Sequence, residues 1–236
     1  LQEFNAEVLS VVDNRFLILD QTAFYAEGGG QISDRGIIED RGKQYNVLEV
    51  TSIEGVIIHE IDRPNFKEGD RVHGVINWDR RLALMRAHTG THIILGAARR
   101  VLGEHAWQAG ASKAIERSRL DISHYSRLTR DEVERIEKLA NQVVVEGRPV
   151  ICKFMQRDTA EEKYGFRLYQ GGAVPGKEIR VVDMGDWDVE ACGGTHLANT
   201  SEAGLIKILG TERVQDGVER IVFAVGPYAL EEVQRR

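Results

Sequence analysis

Residues 86–103 read RAHTGTHIILGAARRVLG, and their apolar side chains recur with roughly the spacing of a helix. We predict that one helix covers residues 79–102. Inside it, His88 and His92 are four positions apart, so both imidazoles project from the same side. Two imidazoles on one side of an apolar helix suit a metal site, but by themselves they are an incomplete ligand set.

A second pair with the same spacing lies in EACGGTHLANTSEAG, where Cys192 and His196 are also four positions apart. Together the pairs offer three imidazoles and one thiolate, a donor set well suited to Zn²⁺. We therefore predict a zinc site that joins the helix to a loop 100 positions away. The plainer alternative is that a lone cysteine is a small buried apolar residue, and we expect this of Cys152 in the strand PVICKFM.

Residues 1–77 contain short apolar, β-branched runs separated by turns, which is typical of a small barrel or sandwich. A loop with three successive glycines, TAFYAEGGGQISD, interrupts these strands. Residues 78–236 mix helices and strands, and we expect their last strands to complete one sheet before a terminal helix begins. A second helix is predicted in LTRDEVERIEKLANQVVVEG, with a capping box from Thr129 to Glu132. The predicted fold class is therefore α+β.

Composition limits the classes of function. The chain carries a net charge of −6 and two cysteines, and it lacks an apolar run as long as a membrane span. We expect a cytoplasmic protein without a membrane partner. An acidic chain argues against broad nucleic-acid binding but permits a local basic patch. Because the chain begins with Leu1 and its last helix looks cut short, we expect a fragment of a longer protein.

The combined motifs resemble the editing domain of alanyl-tRNA synthetases and the related free-standing editing proteins. The resemblance rests on HTGTH, MGDWDVEACGGTH, the loop FYAEGGGQISDRG and the segment WQAGASKAIERSRLDISHY, and it extends over about residues 15–225. It implies a small N-terminal β-barrel followed by an α/β editing domain with a zinc site, as in threonyl-tRNA synthetases. Two departures, GAS in place of GS and apolar Leu120 and Ile122 where phenylalanines are usual, conserve the chemistry.

The function implied by the resemblance is hydrolytic editing. A synthetase pocket for a small side chain cannot strongly reject a similar amino acid, so a second site hydrolyses the wrong ester. The expected substrate is alanine tRNA mischarged with serine or glycine, and the expected partners are this tRNA and the other domains of a parent synthetase. Zinc could polarise the ester carbonyl, activate water or hold the substrate's amino group.

The resemblance also implies roles for individual residues. We expect Thr22 to hydrogen-bond the serine hydroxyl and Gln108 to orient water or the ester. Gly28, Gly29 and Gly30 would let the backbone approach the end of the tRNA. Without the resemblance, a threonine at the end of a strand, a surface glutamine and a glycine turn would explain the same residues.

Two further sets of charged residues are candidates for the site. Asp183 and Asp186 are expected to accept hydrogen bonds from the metal-ligating histidines, unless they only form a solvated turn. Arginines cluster in two segments, where phosphate contacts to tRNA are the functional interpretation and solvated helix faces the plainer one. The clustered arginines are Arg80, Arg81, Arg86, Arg99, Arg100, Arg117, Arg119, Arg127 and Arg130.

Two rival functions remain open. The chain could be a tRNA-binding module in which zinc is purely structural, since four protein ligands are typical of a closed structural site. It could also be a zinc hydrolase for a small molecule. A metalloprotease is disfavoured because Gly90 and Thr91, rather than a glutamate, lie between the two histidines.

Overall fold

The computed structural model describes residues 1–170, 172 and 174–235. The fold is α+β, as predicted, and it divides into two compact units. Leu1–Gly28 and Ile32–Leu82 form the first unit, whereas Gly29–Gln31 and Ala83–Arg236 form the second. Among the described residues, none of the helices combines the length and apolar character needed to span a membrane.

Six antiparallel strands in the first unit form the predicted barrel, which closes in the order β1-β2-β5-β4-β3-β6. Alternate side chains point inward, so Ala6 and Val8 of β1 meet Val72 and Ile76 of β6 in one apolar core. Closure pairs the strand edges that an open sheet would leave exposed. The strands are β1 (Glu3–Val12), β2 (Phe16–Leu19), β3 (Gly36–Asp40), β4 (Lys43–Ile53), β5 (Val56–Ile61) and β6 (Arg71–Ile76).

A buried ion pair in the first unit fixes the start of the helix that follows the barrel. The Nε atom of Arg81 donates to both carboxylate oxygens of Asp34, at 3.0 and 2.9 Å, and Nη2 donates to the carbonyl of Ala23. Asp34 also accepts from the backbone N–H of Tyr25. Both charged side chains are buried, so each charge is compensated by the other instead of by water.

We expect Arg81→Leu to lower the free energy of unfolding by about 3–5 kcal/mol, because it leaves the Asp34 carboxylate buried without its partner. Urea unfolding followed by circular dichroism measures the loss. The matched control is Arg15→Ala, which removes an exposed partner of Glu60 and should cost less than about 1 kcal/mol. Equal losses in the two variants would contradict this explanation.

The second unit contains two separate sheets, so the prediction of one completed sheet is wrong. One sheet has the order β12-β13-β8-β7 and the other has the order β11-β10-β9. The short strand β11 pairs antiparallel with β10 after a turn, and the sequence pattern did not predict this strand. The strands are β7 (Gln108–Ser112), β8 (Ser118–Ser123), β9 (Ile151–Gln156), β10 (Glu178–Asp183), β11 (Val189–Ala191), β12 (Ile206–Gln215) and β13 (Val218–Val225).

The helices of the structure are α1 (Trp78–Leu102), α2 (Arg130–Glu146), α3 (Arg157–Tyr164) and α4 (Pro227–Gln234). Residues 87–99 of α1 are all buried, which explains why this stretch lacks a polar face. The predicted capping box of α2 is present, with Thr129 and Glu132 each satisfying the other's backbone N–H. Asn141 then ties α2 to β12 through two hydrogen bonds with the backbone of Ile206.

Trp187 locks the loop between β10 and β11 onto α1. Its indole N–H donates to the carbonyl of Ile93 at 3.2 Å. A Cβ atom at Gly96 would lie 2.4 Å from the same nitrogen, so only glycine permits this approach. The contact holds Asp188, the next residue along the loop, against the face of α1 that carries His92.

Candidate metal centre

The structure brings the four predicted metal ligands together. His88 and His92 come from α1, and Cys192 and His196 come from the loop after β11. One potential ligand atom from each residue lies within 4.8 Å of all the others. The Cys192 Sγ atom is 3.3 Å from Nε2 of His88 and 3.4 Å from Nε2 of His196. Two segments that are remote in sequence therefore converge on one small volume.

Each imidazole is oriented by a hydrogen bond at its other nitrogen. When Nδ1–H donates to an oxygen, Nε2 carries the lone pair that a metal needs and faces the centre of the cluster. The three Nδ1 partners are Gln31 Oε1 for His88 (2.7 Å), Asp188 Oδ2 for His92 (2.9 Å) and Thr89 Oγ1 for His196 (3.3 Å).

Arg180 positions the loop that carries the other two donors. Its Nη1 atom donates to the carbonyls of Cys192 and Gly194, at 2.7 and 2.9 Å. Gly194 packs directly against the His88 ring, and a Cβ atom there would lie 1.9 Å from Cε1 of that ring. Glycine is required at this position because the backbone lies close to the imidazole, and not because the backbone is left-handed.

The protonation states of three of the four cluster residues suit metal binding. Burial lowers the pKa of His88 to about 3 and that of His196 to about 4, so both imidazoles are neutral at pH 7. Burial by itself would raise the pKa of the Cys192 thiol, but His88 and hydrogen bonds from the cluster hold it well below its ordinary value. Metals bind the neutral imidazole and the thiolate, the forms favoured at these three residues. At His92, burial lowers the pKa, but Glu190 and the hydrogen bond to Asp188 outweigh it and raise the pKa well above its ordinary value, so metal binding must release a proton from this ring.

The donor set and its dimensions fit Zn²⁺. Tetrahedral coordination with Zn–N near 2.0–2.1 Å and Zn–S near 2.3 Å places neighbouring donor atoms roughly 3.3–3.6 Å apart. The two sulfur–nitrogen distances lie slightly below the spacing of roughly 3.5–3.6 Å that such a site gives between sulfur and nitrogen. A buried carboxylate points to a cation as well, since Glu190 Oε2 lies 3.6 Å from His92 Nε2 and Oε1 has no hydrogen-bond partner among the described residues. Burial raises the pKa of Glu190 to about 8.

A cavity of about 250 Å³ opens beside the cluster. Two residues with predicted substrate roles, Gly29 and Gln108, line it. Gly30 continues the glycine loop with φ of +74°, and a Cβ atom there would lie 2.3 Å from the carbonyl oxygen of Ala111. Gly28 belongs to the first unit, where its carbonyl accepts from the hydroxyl of Tyr25. The other residues that line the cavity include His88, Lys113, Glu190 and Cys192.

Thr22 lies in the first unit and is paired with a buried histidine. Its hydroxyl is 2.9 Å from Nε2 of His59 and accepts from the backbone N–H of Phe24 at 3.1 Å. Burial lowers the pKa of His59, and its Nδ1–H donates to the carbonyl of Leu17. The neutral ring therefore accepts the Thr22 proton at Nε2, which leaves the threonine oxygen a free lone pair. Sequence spacing gives no signal for this pair, because Thr22 and His59 are 37 positions apart.

The predicted acceptors Asp183 and Asp186 do not contact the histidines of the cluster. Asp183 accepts from the hydroxyl of Tyr164, and Asp186 accepts from Arg148. Asp188 takes the expected role instead. Distance along the chain could not distinguish these aspartates, because the tight turn from β10 to β11 decides which carboxylate reaches α1.

Two further predictions are wrong, one about the burial of a cysteine and one about phosphate contacts by arginines. Cys152 is exposed rather than buried, and it lies on β9 at the edge of the three-stranded sheet. Arg81 and Arg99 are buried and paired with Asp34 and Asp188, so they are not phosphate contacts. Each guanidinium can be buried because it pairs with a carboxylate that is also buried.

The chain is similar in sequence to known proteins over its whole length. Residues 1–80 match the family described as tRNA synthetases class II (A), and residues 179–222 match the threonyl and alanyl tRNA synthetase second additional domain. The chain is 55% identical over 235 residues to the alanine–tRNA ligase of Thermococcus kodakarensis and 54% identical over 236 residues to that of Pyrococcus furiosus. These alignments cover 99% and 100% of the chain but 26% of each relative. The chain thus spans about a quarter of the length of the curated relatives it matches, and it belongs to the alanyl-tRNA synthetase family.

Proposed function

We propose that this chain hydrolyses the ester bond that joins serine or glycine to alanine tRNA. The observation that carries the proposal is the convergence of three imidazoles and a thiolate beside a cavity that Gly29 and Gln108 also line. The family supports it, since an enzyme that charges tRNA with a small amino acid needs a second, hydrolytic site. We further propose tRNA and the remaining domains of a synthetase as partners, and the cytoplasm as the location.

Different residues of the chain would hold the metal, orient its ligands and orient the substrate in this reaction. Zn²⁺ held by His88, His92, Cys192 and His196 would supply a Lewis acid beside the cavity. Gln31, Asp188 and Thr89 keep the ring nitrogens pointed at the cluster. We assign Gln108 to orient the ester or the attacking water, because its amide offers both donors and an acceptor at the cavity wall.

A deacylation assay tests the proposal. The purified chain is incubated with alanine tRNA charged with serine, glycine or alanine, and release of each amino acid is followed over time. Faster release of serine or glycine than of alanine supports the editing function. Binding of tRNA without release of any amino acid would replace it with the alternative, a tRNA-binding module in which zinc is purely structural.

Thr22 is proposed to select serine through its free lone pair. We expect Thr22→Val to lower kcat/KM for the serine ester about 10-fold, because a hydrogen bond to the substrate hydroxyl is lost, and to change the glycine ester less than about 3-fold. Thr22→Ser retains the hydroxyl and is the matched control. Parallel losses on both esters would assign Thr22 a purely structural role.

A further inference from the structure

Lys113 directly follows β7 and is anchored to the glycine loop. Its backbone N–H donates to the carbonyl of Gly30 at 2.6 Å, and its Nζ atom donates to the carbonyl of Gly29 at 2.7 Å. The residue is 3% exposed. The backbone and the side chain thus hold the ammonium in one place, at the wall of the cavity that His88 and Cys192 also line.

In the part of the chain that the structure describes, no carboxylate forms an ion pair with the buried ammonium of Lys113. Among the described residues, the other buried arginine and lysine side chains each contact a carboxylate, Arg81 with Asp34 and Arg99 with Asp188. Lys113 has only the carbonyl of Gly29 as a hydrogen-bond partner there, so two of its three N–H donors remain available. Burial of an ammonium that lacks a direct ion pair is unfavourable, and its unused N–H donors therefore suggest a negative ligand in the cavity.

The proposed reaction supplies such a ligand. In ester hydrolysis, water adds to the carbonyl carbon, and the carbonyl oxygen gains a negative charge. The bond from that carbon to the ribose oxygen then breaks, and a proton from the attacking water ends on the ribose oxygen. The products are the free amino acid and tRNA with a free hydroxyl. Donors that meet the transient oxyanion stabilise it most in a site that excludes water.

We infer that Lys113 donates from Nζ to the oxyanion that develops on the ester carbonyl, which makes it a catalytic residue of the proposed deacylation. The inference rests on the proposed function. Gly29 holds the ammonium in advance, so little reorganisation is needed when charge develops. Burial lowers the pKa of Lys113 below its ordinary value, and the Cys192 and Glu190 side chains in the same wall offset part of that effect.

Lys113→Met tests the inference, because methionine retains most of the volume and removes the charge. For the serine ester we expect kcat to fall about 100-fold or more, with KM changed less than about 3-fold, as for the loss of an oxyanion donor. The zinc content should be unchanged, and the midpoint of urea unfolding should not fall, because the costly buried charge is gone. Lys177→Met removes an exposed lysine and should retain wild-type kinetics.

A second variant separates charge from packing. We expect Lys113→Ala to regain part of its lost rate when ethylammonium is added, with saturation as the amine concentration rises. Unchanged kcat in Lys113→Met would overturn the inference alone. A higher KM with wild-type kcat would also overturn it, since the ammonium would then bind an anion such as a tRNA phosphate in the ground state. Loss of zinc or of stability would indicate a structural lysine, whereas a wild-type chain that releases no amino acid would overturn the proposed function itself.

Discussion

Replacing Cys192 with serine is expected to lower the rate of deacylation of serine-charged alanine tRNA by about 100-fold or more, and to remove the bound zinc. A serine hydroxyl is not ionised at neutral pH, whereas the cluster holds the pKa of the Cys192 thiol well below its ordinary value. Elemental analysis should find about one zinc per wild-type chain. A deacylation time course measures the activity of each protein.

Cys152→Ser is the matched control for this prediction. Cys152 is a free cysteine that lies exposed on β9, outside the cluster. Its replacement should leave the zinc content and the deacylation rate at wild-type values. If Cys192→Ser lost zinc but retained its activity, the metal would be structural and the proposed chemistry would be wrong.

Asp188→Asn should weaken zinc affinity about 10- to 100-fold and lower the free energy of unfolding by about 3 kcal/mol. The wild-type carboxylate accepts from Nδ1 of His92 at 2.9 Å and from Nη1 of Arg99 at 3.2 Å. Asparagine keeps the shape but removes the charge, so the His92 ring loses a strong acceptor. Arg99, which is buried, loses its carboxylate partner.

Two measurements separate these effects. Zinc titration against a competing chelator gives the affinity, and urea unfolding of the metal-free protein gives the contribution of the ion pair. Asp186→Asn is the control, because its side chain is 85% exposed although it pairs with Arg148, and it should cost less than about 1 kcal/mol. If both variants lost the same stability, the buried contacts of Asp188 would not explain its effect.

Short-range patterns predicted much of the secondary structure. Six β-branched runs became the strands of the barrel, and the capping box at Thr129 marked the start of α2 correctly. These signals are local, since strand alternation and helix capping depend on neighbours within a few residues. Sheet membership depends on pairing between distant segments, and the single sheet expected after residue 77 is in fact two.

The partners of the charged residues could not be predicted from the sequence either. Sequence clustering of Arg81 and Arg99 suggested phosphate contacts, but each is buried against a carboxylate. Asp183, Asp186 and Asp188 are close neighbours along the chain, yet only the last reaches His92. Charge type is visible in a sequence, whereas burial and partner choice are properties of the packed chain.

The sequence by itself determined the four donors, because two pairs with a spacing of four residues carry the chemistry that Zn²⁺ prefers. Only the tertiary structure decided how those donors are held. It placed Gln31 and Asp188 behind the rings of His88 and His92, and it buried the Lys113 ammonium in the cavity wall. The physical reason is that ligand identity is set by side-chain type, whereas orientation, protonation and burial arise when distant segments exclude water together.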